Sequence, residues 1–345
     1  MMKEKNYTVF VNKGFSAAEE YDNISKYEEN VASDAYREYR KKWLENPKNL
    51  ILEGRPLHID IDPTNFCNLK CTMCSRTVLK IHEGENLKYM DFELFKSIVD
   101  EAKKLGVPSV KFGILTEPLL HPRFVDMVQY VSDMGFEDIG VVTNGTLLTE
   151  DLAEKLIKAG LIKINISFDS PIKETYEAIR VGANFDKVIG NIRNLIEIRN
   201  KLKSPIPLLR ITMVKMEKNE QERELFQDLF KPIADRMAFI DYEEYDEDLV
   251  DYEVLNNAEF DNYACSELWQ RLAIDCDGIV HPCCSGTKYK EFIWNFSEHG
   301  LEQIWQQKVS VLRDAFIDNT WKKIPMCGKC LGRIRNTSIL KDGKI

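Results

Sequence analysis

The stretch DPTNFCNLKCTMCSR, residues 62–76, contains the pattern Cys67-x3-Cys71-x2-Cys74. It follows directly on LHIDID, residues 57–62, whose alternation of apolar and polar side chains predicts a short strand. Three thiolates on one short loop can hold three irons of a 4Fe–4S cube. The fourth iron is then open to a substrate or a cofactor, because no fourth protein ligand closes the site.

The composition of the chain bounds its class. Its 345 residues are 44% hydrophobic and 30% charged, and no apolar run approaches the roughly 18 residues that suggest a membrane span. The N-terminus lacks the apolar core and small-residue cleavage site of a signal peptide, so we expect a cytoplasmic protein with no membrane partner. The formal charge of −9, without a basic stripe, argues against a nucleic-acid surface.

The nine cysteines fall into two sets. Thiols stay reduced in the cytoplasm, so metal or redox chemistry is favoured over a disulfide framework. A zinc alternative for the first set takes His58 or His82 as its fourth ligand, although zinc ligands usually come as separated pairs. The second set predicts a second metal site, and its members are Cys265, Cys276, Cys283, Cys284, Cys327 and Cys330.

Strand-like and helix-like segments alternate from residue 57 to residue 241. Helices between consecutive strands imply βαβ units and a parallel sheet. Six units are two short of a closed barrel, so we expect an α/β fold with a partial (β/α)6 TIM-like barrel; a doubly wound open sheet is the alternative. Either architecture places the chemistry at the carboxyl ends of the strands. The predicted strands are 57–62, 108–114, 138–143, 162–168, 207–215 and 237–241, and the predicted helices centre near residues 97, 129, 155, 192 and 225.

These patterns divide the chain into four parts. In the run 241–253, eight of thirteen residues are acidic, which indicates either a solvated linker or an acidic lip that attracts a cationic or polyhydroxylated substrate. Beyond it, Asp277-Gly278 predicts a hairpin turn and residues 301–316 a helix. The predicted parts are a helical N-terminal extension (1–54), the barrel core (55–241), an acidic linker (242–264) and a small metal-binding module (265–345).

The three-cysteine pattern after the first strand resembles the signature of the radical S-adenosylmethionine (SAM) superfamily, over about residues 55–240. The resemblance implies a 4Fe–4S cluster on Cys67, Cys71 and Cys74, with the amino and carboxylate groups of SAM on the open iron. One electron from the cluster then cleaves SAM to methionine and a 5′-deoxyadenosyl radical. The resemblance also implies an external one-electron reductant such as flavodoxin or ferredoxin.

Further positions resemble the SAM contacts of this family. The segment Gly113-Ile-Leu-Thr-Glu117 is similar to the Gly-Gly-Glu motif whose acid meets the methionine amine, although the second glycine is absent. Arg180 matches an arginine for the SAM carboxylate, and the alternative is a surface arginine paired with Glu177 or Asp186. The SAM-binding residues implied by the resemblance are Met73, Gly113, Glu117, Asn144, Ser167, Asp169 and Arg180.

The second set contains Cys265-x12-Gly278-x4-Cys283 and, later, Cys327-x2-Cys330. This arrangement resembles the Twitch module, a shortened SPASM module that binds one auxiliary 4Fe–4S cluster. The resemblance implies that these four cysteines ligate the cluster and make the C-terminal part a small iron–sulfur module. A structural zinc is the alternative.

An auxiliary cluster near the substrate offers an electron sink, so we expect oxidation of a small polyhydroxylated substrate such as a sugar or an aminocyclitol. An epimerase that uses a cysteine as hydrogen donor and a peptide-modifying maturase are the alternatives among enzymes. A redox-sensing protein that never turns over SAM is the alternative outside catalysis. Cys276 and Cys284 are either small buried hydrophobes or hydrogen donors, and His281 is a candidate general base.

Overall fold

The computed structural model describes residues 8–10, 32–242, 263–288 and 291–330. Residues 11–31 and 331–345 lie outside the described part of the chain. Residues 243–262 also lie outside it, and with them most of the predicted linker and of its acidic run.

A nine-stranded sheet organises the chain, and a separate strand pair accompanies it. The strands are β1 Thr8–Phe10, β2 His58–Ile61, β3 Ser109–Phe112, β4 Asp138–Thr143, β5 Lys163–Ser167, β6 Leu208–Lys215, β7 Arg236–Asp241, β8 Tyr263–Cys265, β9 Arg271–Ile274, β10 Ile279–His281 and β11 Trp294–Asn295. Strands β2 to β7 run in parallel and in sequence order, and β7 and β11 stand at the two edges. The open sheet confirms the predicted partial barrel.

Helices connect the parallel strands, as the sequence predicts. Further short helices follow the cysteine loop and occur in the C-terminal module. A π-helical turn at Ile304–Lys308 interrupts the helix predicted for 301–316. The α-helices are α1 Asp34–Lys48, α2 Ser75–Val78, α3 Phe92–Leu105, α4 Phe124–Asp133, α5 Glu150–Lys158, α6 Lys173–Ile179, α7 Phe185–Lys201, α8 Arg223–Phe230, α9 Glu267–Gln270, α10 Phe296–Gln303, α11 Ser310–Ile317 and α12 Pro325–Gly328. Short 3-10 helices occupy Pro118–Leu120, Glu217–Glu222, Cys284–Lys288 and Trp321–Lys323.

The alternation in LHIDID predicts strand β2 correctly, but it does not predict that both faces of this strand are buried. Ile59 and Ile61 are fully buried in the main hydrophobic core. The polar residues between them are buried as well: Asp60 is bonded to His58 at 3.0 Å and paired with Lys111 at 2.7 Å. Parallel strands covered on both faces bury both sets of side chains, and a buried carboxylate needs such partners.

The N-terminal extension closes the amino end of the barrel. Helix α1 buries Tyr36 and Trp43, and Tyr36 Oη accepts a hydrogen bond from Lys163 Nζ on β5 at 2.8 Å. Trp43 packs edge-on against His58, with ring centroids 5.6 Å apart. The helical prediction did not include β1, which pairs in parallel with β8.

The C-terminal module is continuous with the barrel sheet. Strands β9 and β10 form the predicted antiparallel hairpin around Asp277-Gly278, and β9 pairs in parallel with β2. This pairing brings the second set of cysteines to the same sheet as the first. None of the described helices has the length and apolar character needed to cross a membrane.

Candidate active site

A cavity of about 370 Å³ lies at the carboxyl ends of the parallel strands, the edge at which barrel folds of this kind carry their chemistry. Its wall combines the three-cysteine loop, the segments after β3 and β4, the ends of β5 to β7 and a short stretch after β10. The predicted site residues that line it are Cys67, Cys71, Met73, Cys74, Glu117, Asn144, Ser167, Arg180 and Cys284.

The cysteine loop is tied to the barrel by its backbone. Lys70 N, for example, donates to Val181 O at 2.9 Å. Burial raises the pKa of Cys67 to about 12 and that of Cys71 to about 11. These thiols are protonated at neutral pH, so a metal cluster that binds them must displace their protons.

Arg180 is buried beside this loop. Its Nη2 pairs with Asp169 Oδ2 at 2.7 Å, and its Nη1 lies 3.9 Å from Cys71 Sγ. The alternative of a surface arginine is wrong, because Arg180 is buried while Glu177 and Asp186 bond to other groups. Its Nε is buried and has no hydrogen-bond partner among the described residues, and the side chain as a whole lines the cavity.

Glu117 joins two loops of the cavity wall. Its Oε1 accepts hydrogen bonds from Leu119 N at 3.1 Å and Thr143 Oγ1 at 2.7 Å, and its Oε2 accepts one from Asn144 N at 2.7 Å. Burial raises its pKa to about 7, and these hydrogen bonds oppose the rise. An ammonium group against this carboxylate would stabilise the charged form, as the predicted contact with the methionine amine requires.

Asn144 links the end of β4 to the cysteine loop. Its Nδ2 donates to Asn68 Oδ1 at 2.9 Å and lies 4.0 Å from Cys67 Sγ. Its Oδ1 accepts from the backbone N and the hydroxyl of Thr146, at 2.9 and 2.6 Å. The side chain is therefore fixed before any ligand enters the cavity.

Asp62 is a positioning residue that the sequence analysis did not single out. Its Oδ1 accepts hydrogen bonds from Ile114 N and Thr116 Oγ1, both at 2.7 Å, and its Oδ2 accepts one from Leu115 N at 3.0 Å. One carboxylate thus holds the loop that leads to Glu117. The sequence could have indicated this role, because Asp62 follows β2 directly and an acid at that position lies beside the loop that follows the neighbouring strand β3.

Two predicted SAM contacts lie behind the cavity wall. Gly113 has φ +94°, and a Cβ there would lie 2.6 Å from Val142 O, so close backbone packing requires glycine. Asp169 accepts from Val214 N at 2.8 Å and pairs with Arg180, so it holds the arginine in place. A direct contact of either residue with SAM stays a prediction.

The histidines of the zinc alternative are engaged elsewhere. His58 contacts Ser109 Oγ at 2.7 Å and Asp60 Oδ1 at 3.0 Å inside the barrel. His82 Nδ1 lies 2.9 Å from Glu85 Oε2. Neither ring lines the cavity with the three thiols, so the geometry does not support either histidine as a fourth ligand.

The four predicted auxiliary ligands come from β8, from the segment after β10 and from the end of the last described segment, and the described residues contain no group of three or more side chains arranged to hold a metal ion. Burial raises the pKa of Cys265 and Cys283 well above the usual range. Glu267, Cys330 and Cys327 add to the rise at Cys265, and Cys284, Cys265, Cys330 and Glu267 add to it at Cys283. Four thiols are the donor set that a closed 4Fe–4S cluster takes, so these residue types fit such a cluster.

The three predicted catalytic residues separate in the structure. Cys284 lines the cavity, directly after the predicted cluster ligand Cys283, and its Sγ lies 3.7 Å from Glu267 Oε2. Cys276, in the hairpin turn, and His281, on β10, are not among the residues that line the cavity. Burial raises the pKa of Cys284 to about 12, so the thiol that lines the cavity is protonated at neutral pH.

A larger cavity, of about 530 Å³, lies beside the first at the ends of β6 and β7. The two cavities share Tyr242. Lys215 and Asp241 in the wall of the larger cavity form an ion pair at 2.6 Å. Its described lining contains no cysteine, so we place the chemistry in the smaller cavity.

Two family models match the chain one after the other. The model of the radical SAM superfamily matches residues 61–229, and that of the SPASM iron–sulfur cluster-binding domain matches residues 265–331. The first match contains the three-cysteine loop, and the second contains the four predicted auxiliary ligands. The second module is thus similar to an iron–sulfur cluster-binding domain.

Curated relatives share part of the chain. The tungsten-containing aldehyde ferredoxin oxidoreductase cofactor-modifying protein of Pyrococcus furiosus is 33% identical over 170 residues, 48% of this chain and 45% of that protein. The probable GTP 3′,8-cyclase of Methanocaldococcus jannaschii is 37% identical over 146 residues, 42% of this chain and 47% of that protein. The chain spans less than half the length of these relatives.

Solved structures resemble the fold over most of its length. SuiB of Streptococcus suis bound to S-adenosylmethionine gives a TM-score of 0.61 at 18% identity, over 84% of this chain and 77% of that one. The anSMEcpe protein with bound AdoMet gives 0.55 at 20% identity, over 80% and 86%. BtrN in complex with AdoMet and 2-DOIA gives 0.51 at 18%, over 79% and 92%. At these identities the likeness establishes the fold alone.

Proposed function

Because this chain belongs to the radical SAM superfamily and carries a SPASM-type module, we propose that it oxidises a small hydroxylated substrate by hydrogen-atom abstraction. The two domains bring a SAM-binding 4Fe–4S cluster, SAM and an auxiliary cluster, which supply a 5′-deoxyadenosyl radical and an electron acceptor. The proposed ligands are Cys67, Cys71 and Cys74 for the first cluster and Cys265, Cys283, Cys327 and Cys330 for the auxiliary cluster.

The observation that carries the proposal is the position of Cys284. It lines the cavity that also contains the three-cysteine loop, and its chain neighbour Cys283 is a proposed ligand of the auxiliary cluster. The auxiliary site therefore adjoins the cavity in which the substrate would react. An electron acceptor beside the cavity would support net oxidation.

The cavity wall carries the groups that would orient SAM. The Arg180 side chain lines the cavity and would supply a cation for a carboxylate, and Glu117 would supply a carboxylate for an ammonium group. Met73 and Ser167 line the same cavity and stay the proposed contacts of the nucleoside. These roles come to this chain from the family resemblance, and their convergence on one cavity supports them.

The size of the cavity supports a small substrate. A volume of about 370 Å³ lies at the low end of the range for small-molecule sites, roughly 300–1,000 Å³, and SAM would occupy most of it, which leaves little room for a bulky substrate. SuiB has been solved with its precursor peptide SuiA, and BtrN with 2-DOIA, so related folds accept both a peptide and a small molecule. We favour the small molecule on volume.

The proposed oxidation balances without a further oxidant. A hydrogen atom leaves a carbon that bears a hydroxyl and forms the C–H bond of 5′-deoxyadenosine. The remaining carbon radical would lose the hydroxyl proton to a base, and an auxiliary cluster held by the four proposed cysteines would accept the electron, which would give a carbonyl group. One SAM is consumed for each substrate oxidised.

Product analysis under anaerobic conditions tests this function. Reconstituted enzyme is incubated with SAM, a reductant and a panel of sugars and aminocyclitols, and 5′-deoxyadenosine and product are quantified by mass spectrometry. We expect one substrate to raise the formation of 5′-deoxyadenosine. That substrate should be converted to a product two mass units lighter, in an amount equal to the 5′-deoxyadenosine formed. No stimulation by any hydroxylated compound, with stimulation by a peptide instead, would contradict the proposed substrate class.

An epimerase is the second candidate, because Cys284 presents a protonated thiol in the same cavity wall. In that reaction the thiol would return a hydrogen atom to the carbon radical, and the product would have the mass of the substrate. In deuterium oxide the product of an epimerase gains one deuterium at the inverted carbon. Cys284→Ser should then abolish product while 5′-deoxyadenosine still forms, whereas the cavity-remote Cys276→Ser should keep both.

A further inference from the structure

A third cavity, of about 210 Å³, lies at the amino end of the barrel, between helix α1 and the sheet. The helix contributes Tyr39, Arg40 and Trp43 to the wall of this amino-end cavity. The residues that the strands contribute are His58, Lys111, Asp138, Val142, Asn165, Arg210 and Arg271. Val142 also lines the candidate active site, so the two cavities adjoin inside the barrel.

The described wall of the amino-end cavity is predominantly cationic. Its charged residues are the acid Asp138 and the bases Arg40, Lys111, Arg210 and Arg271. Arg40, Arg210 and Arg271 are only 9%, 7% and 5% exposed. Burial removes the hydration of a charged group, so three buried guanidinium groups at one small cavity are costly. Negative charge close to them would offset that cost.

The described carboxylates at this wall form ion pairs with part of the cations. The pairs, each 2.7–3.0 Å long, are Asp138 with Lys163, Asp60 with Lys111 and with Arg271, and Glu267 with Arg271. Three carboxylates thus serve three cations. Arg40 and Arg210 add further positive charge to the wall, which is net positive as described.

Arg210 shows the effect of this charge. It lies on β6 and is in register with another cation, Arg236 on the neighbouring strand β7. Burial and the charge of Arg236 lower the pKa of Arg210 to about 10. An anion in the cavity would oppose both effects, because it would replace lost hydration and attract the guanidinium.

We infer that the amino-end cavity binds one tetrahedral inorganic oxyanion, of the phosphate or sulfate class. Guanidinium groups are planar forks of N–H donors that match the oxygens of such anions. Arg40, Arg210 and Arg271 bring three of these forks to the cavity from α1, β6 and β9. The inference is independent of the proposed function, because the described lining of this cavity contains no residue of either cysteine set.

The size of the cavity favours an inorganic anion over an organic one. A water molecule takes about 30 Å³ of the liquid, so about 210 Å³ has room for a tetrahedral anion and a few waters. Binding sites for organic ligands usually begin at roughly 300 Å³. The anion would therefore have a structural role, in which it ties α1 to the barrel strands and to β9 of the C-terminal module.

Anion binding and its effect on stability are measured separately. Equilibrium dialysis of the cluster-loaded full chain against radiolabelled phosphate gives the affinity and the stoichiometry. Thermal unfolding is followed in increasing phosphate, sulfate or chloride at constant ionic strength. Arg210→Met removes one guanidinium from the wall, and Arg210→Lys keeps the charge but loses the planar fork.

Arg313→Met is the matched control. Arg313 is also buried, and burial lowers its pKa to about 10 as well. It lies on α11 instead of at the cavity, and it donates hydrogen bonds to Leu268 O and Trp305 O at 2.8 and 2.7 Å. Its replacement therefore removes a buried arginine without changing the cavity wall.

We expect the wild type to bind one phosphate per chain and its unfolding temperature to rise, saturably, by about 4 °C. Sulfate should act similarly and chloride less strongly, because chloride cannot engage several forks at once. Arg210→Met should lose this rise and bind phosphate about tenfold more weakly, and Arg210→Lys should keep part of both. Arg313→Met should keep the full rise, whatever its stability without phosphate.

Other results would overturn the inference. If the wild type bound no phosphate in dialysis, other groups of the protein would supply the negative charge. A rise without saturation, or one equal in Arg210→Met and wild type, would be the general effect of excluded salts. Loss of the rise in Arg313→Met would separate the effect from this cavity. If Arg210→Met does not fold, Arg210→Lys decides, because an affinity equal to that of the wild type would contradict the site.

Discussion

Arg180 bridges Asp169 and Cys71: its Nη2 lies 2.7 Å from Asp169 Oδ2 and its Nη1 lies 3.9 Å from Cys71 Sγ. The guanidinium is buried, so its charge acts on the thiolate with little solvent screening. One side chain thus connects a proposed cluster ligand with the residue that fixes it and with the cavity. This arrangement has consequences for the redox behaviour of the first cluster.

Replacing Arg180 by Gln should lower the midpoint potential of the first cluster. A cation beside a ligand thiolate stabilises the reduced, more negative cluster, so its loss favours the oxidised form. We expect a fall on the order of 60 mV, a tenfold change for one electron. Redox titration followed by electron paramagnetic resonance, without SAM, measures it. Lys173→Gln removes a nearby but exposed cation and should leave the potential unchanged; equal shifts in both variants would refute the local effect.

The binding of SAM should weaken as the pH falls through about 7. Burial raises the pKa of Glu117 to about 7, and a protonated carboxyl no longer attracts the amine of SAM. We expect Glu117→Gln to weaken binding by about 1.5–3 kcal/mol at pH 8 and to remove this pH dependence. Isothermal titration calorimetry on the cluster-loaded enzyme at several pH values provides the measurement. An unchanged pH profile in Glu117→Gln would assign the titration to another group.

Asp62→Ala should release the loop that leads to Glu117. It removes the acceptor of three hydrogen bonds and leaves two backbone N–H groups of residues 114 and 115 without a partner, at a cost of about 2–4 kcal/mol in the free energy of unfolding. Thr116→Val removes only the hydroxyl contact and should cost about 1 kcal/mol. Denaturant unfolding of both variants tests this. A positioning role further predicts that Asp62→Ala weakens SAM binding more than Thr116→Val does.

Gly113→Ala should be strongly destabilising. Its φ of +94° is unfavourable for alanine, and the new Cβ would lie 2.6 Å from Val142 O. The backbone strain and the close contact together should lower the free energy of unfolding by about 3 kcal/mol. Gly190, within α7, has no atom near the position of a Cβ, so Gly190→Ala should stabilise the helix by about 0.5–1 kcal/mol. Thermal unfolding compares the two, and a similar effect of both would contradict the backbone argument.

Iron analysis should separate the two cysteine sets. Two 4Fe–4S clusters predict about eight irons per chain, and a Cys67/Cys71/Cys74→Ala triple variant should retain about four. Cys283→Ala should also lose about four, whereas its neighbour Cys284→Ala should keep about eight. Iron and acid-labile sulfide are measured after anaerobic reconstitution. If Cys284→Ala lost as much iron as Cys283→Ala, the assignment of Cys283 and not Cys284 as a cluster ligand would be contradicted.

Local patterns in the sequence determined the fold class and the choice of the first set of proposed ligands. The spacing of Cys67, Cys71 and Cys74 is readable without tertiary structure, because the three thiols lie on one loop. The strands between 57 and 241 follow from periodicity and match the structure closely, since each is short and bounded by polar or glycine-containing segments. The prediction missed β1, whose pairing partner β8 is distant in sequence.

Tertiary structure alone decided which polar residues serve the cavity. Arg180 reaches Cys71 across 109 positions of sequence, and Asp62 holds residues 114–116 across more than 50. The sequence left Cys276 and Cys284 equivalent as spare cysteines, whereas the pairing of β9 with β2 brings Cys284 to the cavity and leaves Cys276 away from it. Ligand spacing within a loop is a local property of the chain, but charge pairing and cavity lining depend on distances that only packing sets.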